Sequence, residues 1–173
     1  MEGKLSLMDT VKKWAPIYGL VGLIIALLSA ILDVQSMGIV SSIVSSLLNW
    51  GIAFGIYFLA TKEFRTDNED FLSFGEGFKI VALVGLIGGV IRAIGFYIYI
   101  KAIDPYYMER MIAAQIEAQE NAGVAYDPDA VPGFMNFLQT PEFLALATIF
   151  SAIVGFLILG LIAVAINKKT EDF

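Results

Sequence analysis

Neither cysteine nor histidine occurs anywhere in the 173-residue chain. The first absence excludes disulfide frameworks, thiol nucleophiles and cysteine-based zinc sites. The second removes histidine ligation of haem or zinc and imidazole acid–base chemistry. Most familiar catalytic constellations go with them, so the expectation is a protein that is not an enzyme and holds no cofactor or metal. Positive charge is scarce as well: 11 Lys and Arg stand against 17 Asp and Glu, for a net charge of −6. No basic patch with interleaved aromatics is present, which sets nucleic acid aside as a partner. No internal repeat or low-complexity segment breaks the chain.

What remains is apolar. Hydrophobic residues make up 58% and mean hydropathy is +0.76, far above an ordinary globular domain. A bilayer crossing needs about 20 residues of helix. Four runs qualify, over about residues 15–33, 37–60, 76–103 and 142–166. The predicted fold is therefore all-α: one polytopic membrane domain over 1–173, with four transmembrane helices in an antiparallel bundle. Lys12 and Lys13 ahead of the first run could suggest a signal peptide, but "LLSAILDV" puts bulky residues where a small-x-small cleavage site is required. An uncleaved span is expected.

Charge placement sets the orientation. Lys4, Lys12, Lys13, Lys62, Arg65, Lys79, Lys168 and Lys169 flank one side of the spans, against Lys101 and Arg110 on the other. By the positive-inside rule both termini face the cytoplasm. "DVQS" at 33–36 is so short that the first two spans must be antiparallel neighbours. Ser73 and Glu76 have capping-box spacing and would start the third helix before the membrane does. That leaves 104–141 as the outer segment. In it, Asp104 and Pro105 suit the cap and first position of an amphipathic helix, with Met111 and Ile112 on one side and Glu109, Glu117 and Glu120 on the other. Thr140, Pro141 and Glu142 open the fourth span.

Lipid gives helices no hydrophobic reason to associate, so small residues mark close packing. Stripes run through Gly22, Ala26 and Ala30; through Ser41, Ser45, Gly51 and Gly55; through Gly85, Gly89 and Ala93; and through Ala147, Ser151 and Gly155. Within the third span, "LIGGVIRAIGFYIYI" carries an arginine. A guanidinium at mid-bilayer costs at least ~2.5 kcal/mol. Arg92 shares a helix side with Gly88, Gly89, Gly95 and Tyr99. Counted from the outer ends, Arg92 and Asn49 both lie ~16–18 Å deep at 1.5 Å per residue. Ser45, Ser46 and Ser151 reach the same layer, whereas Asp33 and Glu76 sit at its two boundaries. Arg92, Asn49, Ser45, Ser46, Ser151 and Tyr99 thus form a candidate buried polar or anion site. Three readings stay open: Arg92 is structural and bonded to Asn49 and hydroxyls, it awaits an anion or a partner's acid, or it snorkels outward.

Other features are weaker. Asp127 and Asp129 lack the ligand count of a calcium loop, Glu109, Glu117 and Glu120 fit the wet side of a helix better than a hydrolytic pair, and "FGEGF" lacks a phosphate-loop lysine.

The runs "LSFGEGFKIVALVGLI" and "YIYIKAIDPYYMERMI", then "TPEF" opening a last span that ends in Lys168 and Lys169, resemble domain of unknown function family 4199. The clearest marks are Phe74, Gly75, Phe78, Asp104, Pro105 and Pro141. The resemblance implies a small four-span protein of the bacterial inner membrane and carries over no activity. The expected role is a non-catalytic accessory or interaction subunit, with membrane lipids around it and a homo-oligomer or another membrane protein as partner. The rival is a small anion- or lipid-handling protein built on Arg92; an enzyme acting on lipid-linked substrates comes third. A reporter active only outside the cytoplasm should stay silent when fused after Phe173 and be active near Asp127; the reverse pattern would overturn the orientation.

Overall fold

The computed structural model describes residues 6–123 and 133–169; Asp127 and Asp129 lie outside them. The described residues are mostly helical and include no strand. Four stretches are long and apolar enough to cross a membrane: Leu7–Ile31, Ile39–Asp67, Phe74–Ile103 and Pro141–Asn167. We label them α1 (Leu7–Ile31), α2 (Ile39–Asp67) and α3 (Phe74–Ile98), the last extended by a π turn at Tyr99–Ile103. Between spans three and four lie α4 (Tyr107–Asn121) and α5 (Gly133–Leu138). Span four is α6 (Pro141–Gly155), a π turn (Phe156–Gly160) and α7 (Leu161–Asn167). The spans alternate in direction, so α1 begins and α7 ends at the same end of the bundle.

Local chemistry explains the boundaries. Ser6 and Asp9 form a capping box, with the Asp9 N–H donating to Ser6 Oγ at 3.2 Å, and this starts α1 at Leu7 rather than near residue 15. Ser73 and Glu76 repeat the device at α3, as their spacing predicts. Thr140 Oγ1 accepts the Phe143 N–H at 3.2 Å, and Pro141 fills the first position of α6. α2 follows Gly38, whose φ of +88° favours a residue without Cβ. The expected cap of α4 is different. α4 starts at Tyr107, and Asp104 does not cap it, because its carboxylate is engaged by Arg110 at 2.6 and 3.0 Å.

α3 is the central helix, with α1 on one side and α6 on the other; α2 packs on α1 and, in its second half, on α7. The larger core fills the half near the termini with Val11, Tyr57, Ile80, Val81, Val84 and Val164. There Asn167 is buried and donates to Phe58 O and to Thr61 Oγ1, each at 2.9 Å, which fixes α7 against α2. Leu72 and Lys169 exchange backbone hydrogen bonds at 2.9 and 3.1 Å, and Asp70 pairs with Arg65 and Lys169, closing that end. At the opposite end a smaller cluster gathers Ala30, Tyr99, Ile100, Tyr107, Met108 and Met111.

Glycines set the helix separations, though not all those in the expected stripes. The tightest approach of α1 and α3 is at Gly19 and Gly88: a Cβ on Gly88 would lie 2.7 Å from Ala15 O and 3.0 Å from Gly19 N. One on Gly89 would lie 2.6 Å from Ala152 Cβ. Gly51 and Gly55, by contrast, meet nothing within 4 Å, because α2 turns that side away from the bundle.

Gly88→Ala should therefore destabilise the fold by about 1–3 kcal/mol, since backbone atoms cannot step aside. Gly51→Ala, facing open space, should be neutral or stabilising by about 0.4–1 kcal/mol. Thermal unfolding in detergent checks both; equal effects would mean that α1 and α3 do not cross at Gly88.

Candidate functional site

In the half of the bundle away from the termini, α2 and α6 barely touch. α3 holds α6 at that end: Glu142 accepts hydrogen bonds from Tyr97 and Lys101, both at 3.1 Å, and Gly89 admits Ala152. The first half of α2 is held toward α1 instead, where the Ser29 and Ser45 hydroxyls meet at 3.4 Å, and Ile39, Val40, Val44, Leu47 and Leu48 are all exposed. The result is a lateral cleft with α3 as its floor.

Arg92 stands on that floor. Its stem passes over α1 where Gly22 leaves room: a Cβ there would sit 3.1 Å from Arg92 Cδ. Its Nη1 reaches Asn49 Oδ1 at 3.5 Å, the long limit of a hydrogen bond. That is the hydrogen bond the guanidinium makes among the described residues, and no nitrogen of it is buried without a partner. The Nε side lies along α1 at Gly22, and the guanidinium borders open volume on the side of α2 and α6. Arg92 borders three adjoining cavities. One of about 50 Å³ is lined by Tyr18, Asn49, Trp50, Thr148 and Ser151. Another of about 220 Å³ rises past Ser29, Ser45 and Ser46 to Tyr107 of α4. Among the described residues, no carboxylate lines any of the three. Tyr18 closes the site toward the termini, stacked on buried Tyr57 with ring centroids 5.2 Å apart.

Five of the six residues singled out from sequence come together here: Arg92 and Asn49 in contact, Ser45 and Ser46 along the larger cavity, Ser151 along the smaller. Tyr99 does not join them. Seven residues further along α3 it lies ~10 Å higher, its ring under α4 and its hydroxyl donating to Asp104 at 3.1 Å. Residues that the sequence reading left out are Tyr18, Gly22, Ser29 and Thr148. For Thr148 a signal was there: with Ser151 and Gly155 it makes a small polar stripe at helical spacing.

The far end of the larger cavity is roofed by Tyr107, which packs edge-on against Phe96 and Tyr99. Beside it, the two hydrogen bonds from the Arg110 guanidinium hold the Asp104 carboxyl below the usual carboxylate range, helped by the Tyr99 hydroxyl.

The chain matches the family described as "Protein of unknown function (DUF4199)" over residues 13–169. It belongs to that family of membrane proteins. No curated protein and no solved structure matches it.

Because the Asp104 carboxyl titrates lower in the folded protein, its pairing contributes stability above the unfolded value of about 3.9, and that contribution fades as pH falls through the folded value. Protection of the α4 amides, taken relative to their intrinsic exchange rate at each pH, should therefore fall on acidification below about pH 4. Asp104→Asn should show the reduced protection already at neutral pH. An α4 whose protection ignores both would not depend on the Asp104–Arg110 pair.

Proposed function

We propose that the chain is a non-catalytic accessory protein of the bacterial inner membrane that works by binding an anionic group at Arg92. One observation carries this: a guanidinium inside the bundle borders three cavities, with one long hydrogen bond to an amide and no acid of the described residues on any wall. Polar groups inside bundles ordinarily find partners. A charge left with donors to spare is placed for an anion from outside the chain. Asn49 adds a side-chain amide, and Ser151 a hydroxyl on the cleft wall.

The orientation belongs to the same proposal. Lys12, Lys13, Lys62, Arg65, Lys79, Lys168 and Lys169 gather toward the end where α1 begins and α7 ends, against Lys101 and Arg110 at the other. This supports cytoplasmic termini and a cleft in the outer half of the membrane.

The test is thermal unfolding in neutral detergent with a panel of anionic lipids and soluble anions. An anion that binds should stabilise the wild type by ~2.7 kcal/mol at one hundred times its dissociation constant. Arg92→Leu should abolish the effect while leaving ligand-free stability unchanged or higher. Arg92→Lys should restore part of it, since an ammonium keeps the charge and lacks the planar fork. A wild type indifferent to every anion would reduce Arg92 to a structural residue.

A further inference from the structure

Resting on the anion-binding role just proposed, we infer that the ligand is an anionic phospholipid, whose phosphate head slides sideways between α2 and α6 to Arg92 while its chains stay in the bilayer. Four features of the cleft point to a lipid rather than to a dissolved anion.

The first is the division of polarity. The rim is apolar and open to the surroundings of the bundle, with Trp50 on α2 and Ile158 just after α6 both exposed and lining the smaller cavity. Polar groups lie behind it. A molecule with a charged head and hydrocarbon tails meets its own kind of surface at both places, whereas a free anion gains nothing from the rim.

The second is a graded path. On α2, Ser42, Ser45, Ser46 and Asn49 recur at spacings of three, one and three, which keeps them on one helical face. On α6, Thr148 and Ser151 do the same. Of these, Ser45, Ser46, Asn49, Thr148 and Ser151 border the cavities that lead to Arg92, and Ser42 stands one turn before Ser46. Arg92 is eleven residues before Ile103, so ~16 Å of helix separates it from the end of span three. A head entering from the interface would exchange water for hydroxyls step by step, and reach the charge without crossing bare hydrocarbon.

The third is size. At about 220 Å³ the larger cavity far exceeds what one water needs, about 10–15 Å³ on the same measure. It has room for a phosphate with part of its glycerol, where a lone halide or carboxylate would leave most of it unfilled.

The fourth is closure in the axial directions. Tyr107, only 8% exposed, covers the cavity toward the end away from the termini. Tyr18 and Tyr57 cover it toward the other. The open side is the lateral one, where Ser46, Trp50 and Ser151 are exposed.

Native mass spectrometry and thermal unfolding of the full-length protein in neutral detergent separate the sources. The probes are phosphatidylglycerol, phosphatidylcholine and sn-glycerol 3-phosphate. Phosphatidylglycerol should bind and stabilise, and glycerol 3-phosphate should do neither at matched concentration. Phosphatidylcholine, whose head carries no net charge, should bind more weakly. Arg92→Leu should lower the affinity for phosphatidylglycerol by roughly ten- to a hundredfold, the worth of one charged hydrogen-bonding group. Because Ser46 and Ser151 are exposed on the lipid side, replacing both by leucine should leave folding intact. That double variant should still weaken phosphatidylglycerol binding at least about fivefold by removing hydroxyls from the path. If glycerol 3-phosphate stabilises as well as the lipid, anion binding at Arg92 stands and lateral lipid entry falls. If the serine variant folds and binds the lipid like wild type, lateral entry along these hydroxyls falls too. If no probe binds the wild type, both proposals fall together.

Discussion

The near contact of backbones at Gly19 and Gly88 governs the rest of this bundle. Lipid offers helices no hydrophobic gain on association, so stability has to come from close surfaces. Where Gly88 meets Ala15 O and Gly19 N, α1 and α3 approach as nearly as two helices can. The pair then runs in contact along most of its length and forms a wall on which other spans are hung. α6 joins the opposite side of α3 through Gly89 and Ala152, and Gly160 and Gly77 let α7 and α3 interlock with Val81 and Val164. α2 has no such groove in its first half. Its Ser45 and Asn49 make long polar contacts there, and it is packed firmly where Tyr57, Thr61 and Phe64 sink into the core near the termini.

That unequal packing is what makes a site. One half of the bundle is filled with branched aliphatic side chains and sealed by Tyr18 on Tyr57; the other half leaves α2 apart from α6. Arg92 falls just beyond the boundary between the two. Had it been placed two turns earlier, among Val81, Val84 and Gly85, its charge would have met a closed apolar interior. Had it been a turn or two later, it would have reached the acidic group Asp104 near the end of the span. Gly22 completes the arrangement, since any side chain there would press on the arginine stem.

Much of this was legible from sequence, for identifiable reasons. Span number, direction and the caps at Ser73 and Thr140 depend on local composition, which the chain states outright. The shared layer of Arg92 and Asn49 followed from depth, because counting inward from the outer ends of spans two and three puts both at the same level. What depth cannot supply is rotation. Gly51 and Gly55 look like a packing stripe and face away, while Gly19 and Gly88 carry the crossing. Tyr18 escaped notice for the same reason: which side a helix presents depends on its neighbours' volumes across the bundle. The π turns at Tyr99–Ile103 and Phe156–Gly160 add to this, since each shifts the helical phase of the residues beyond it. Asp104 has the chemistry of a cap, but Arg110 six residues on competes for it and wins with two charged hydrogen bonds.

The absence of an acid beside Arg92 is the feature with most consequence. A charge within a bilayer costs at least ~2.5 kcal/mol, and the simplest remedy is a carboxylate on a facing helix. The chain has 17 Asp and Glu, more than enough. None of the described ones lines the cavities around Arg92: they stand at the ends of the spans, as with Glu63, Glu76, Asp104 and Glu142. What faces the guanidinium instead is an amide and a set of hydroxyls, groups that ease its solvation and leave its charge uncompensated. In surroundings of low dielectric that uncompensated charge attracts an anion far more strongly than it would in water. With the cleft opening sideways through the exposed Ser46, Trp50 and Ser151, the proposed answer to that charge is an anion held in the membrane itself.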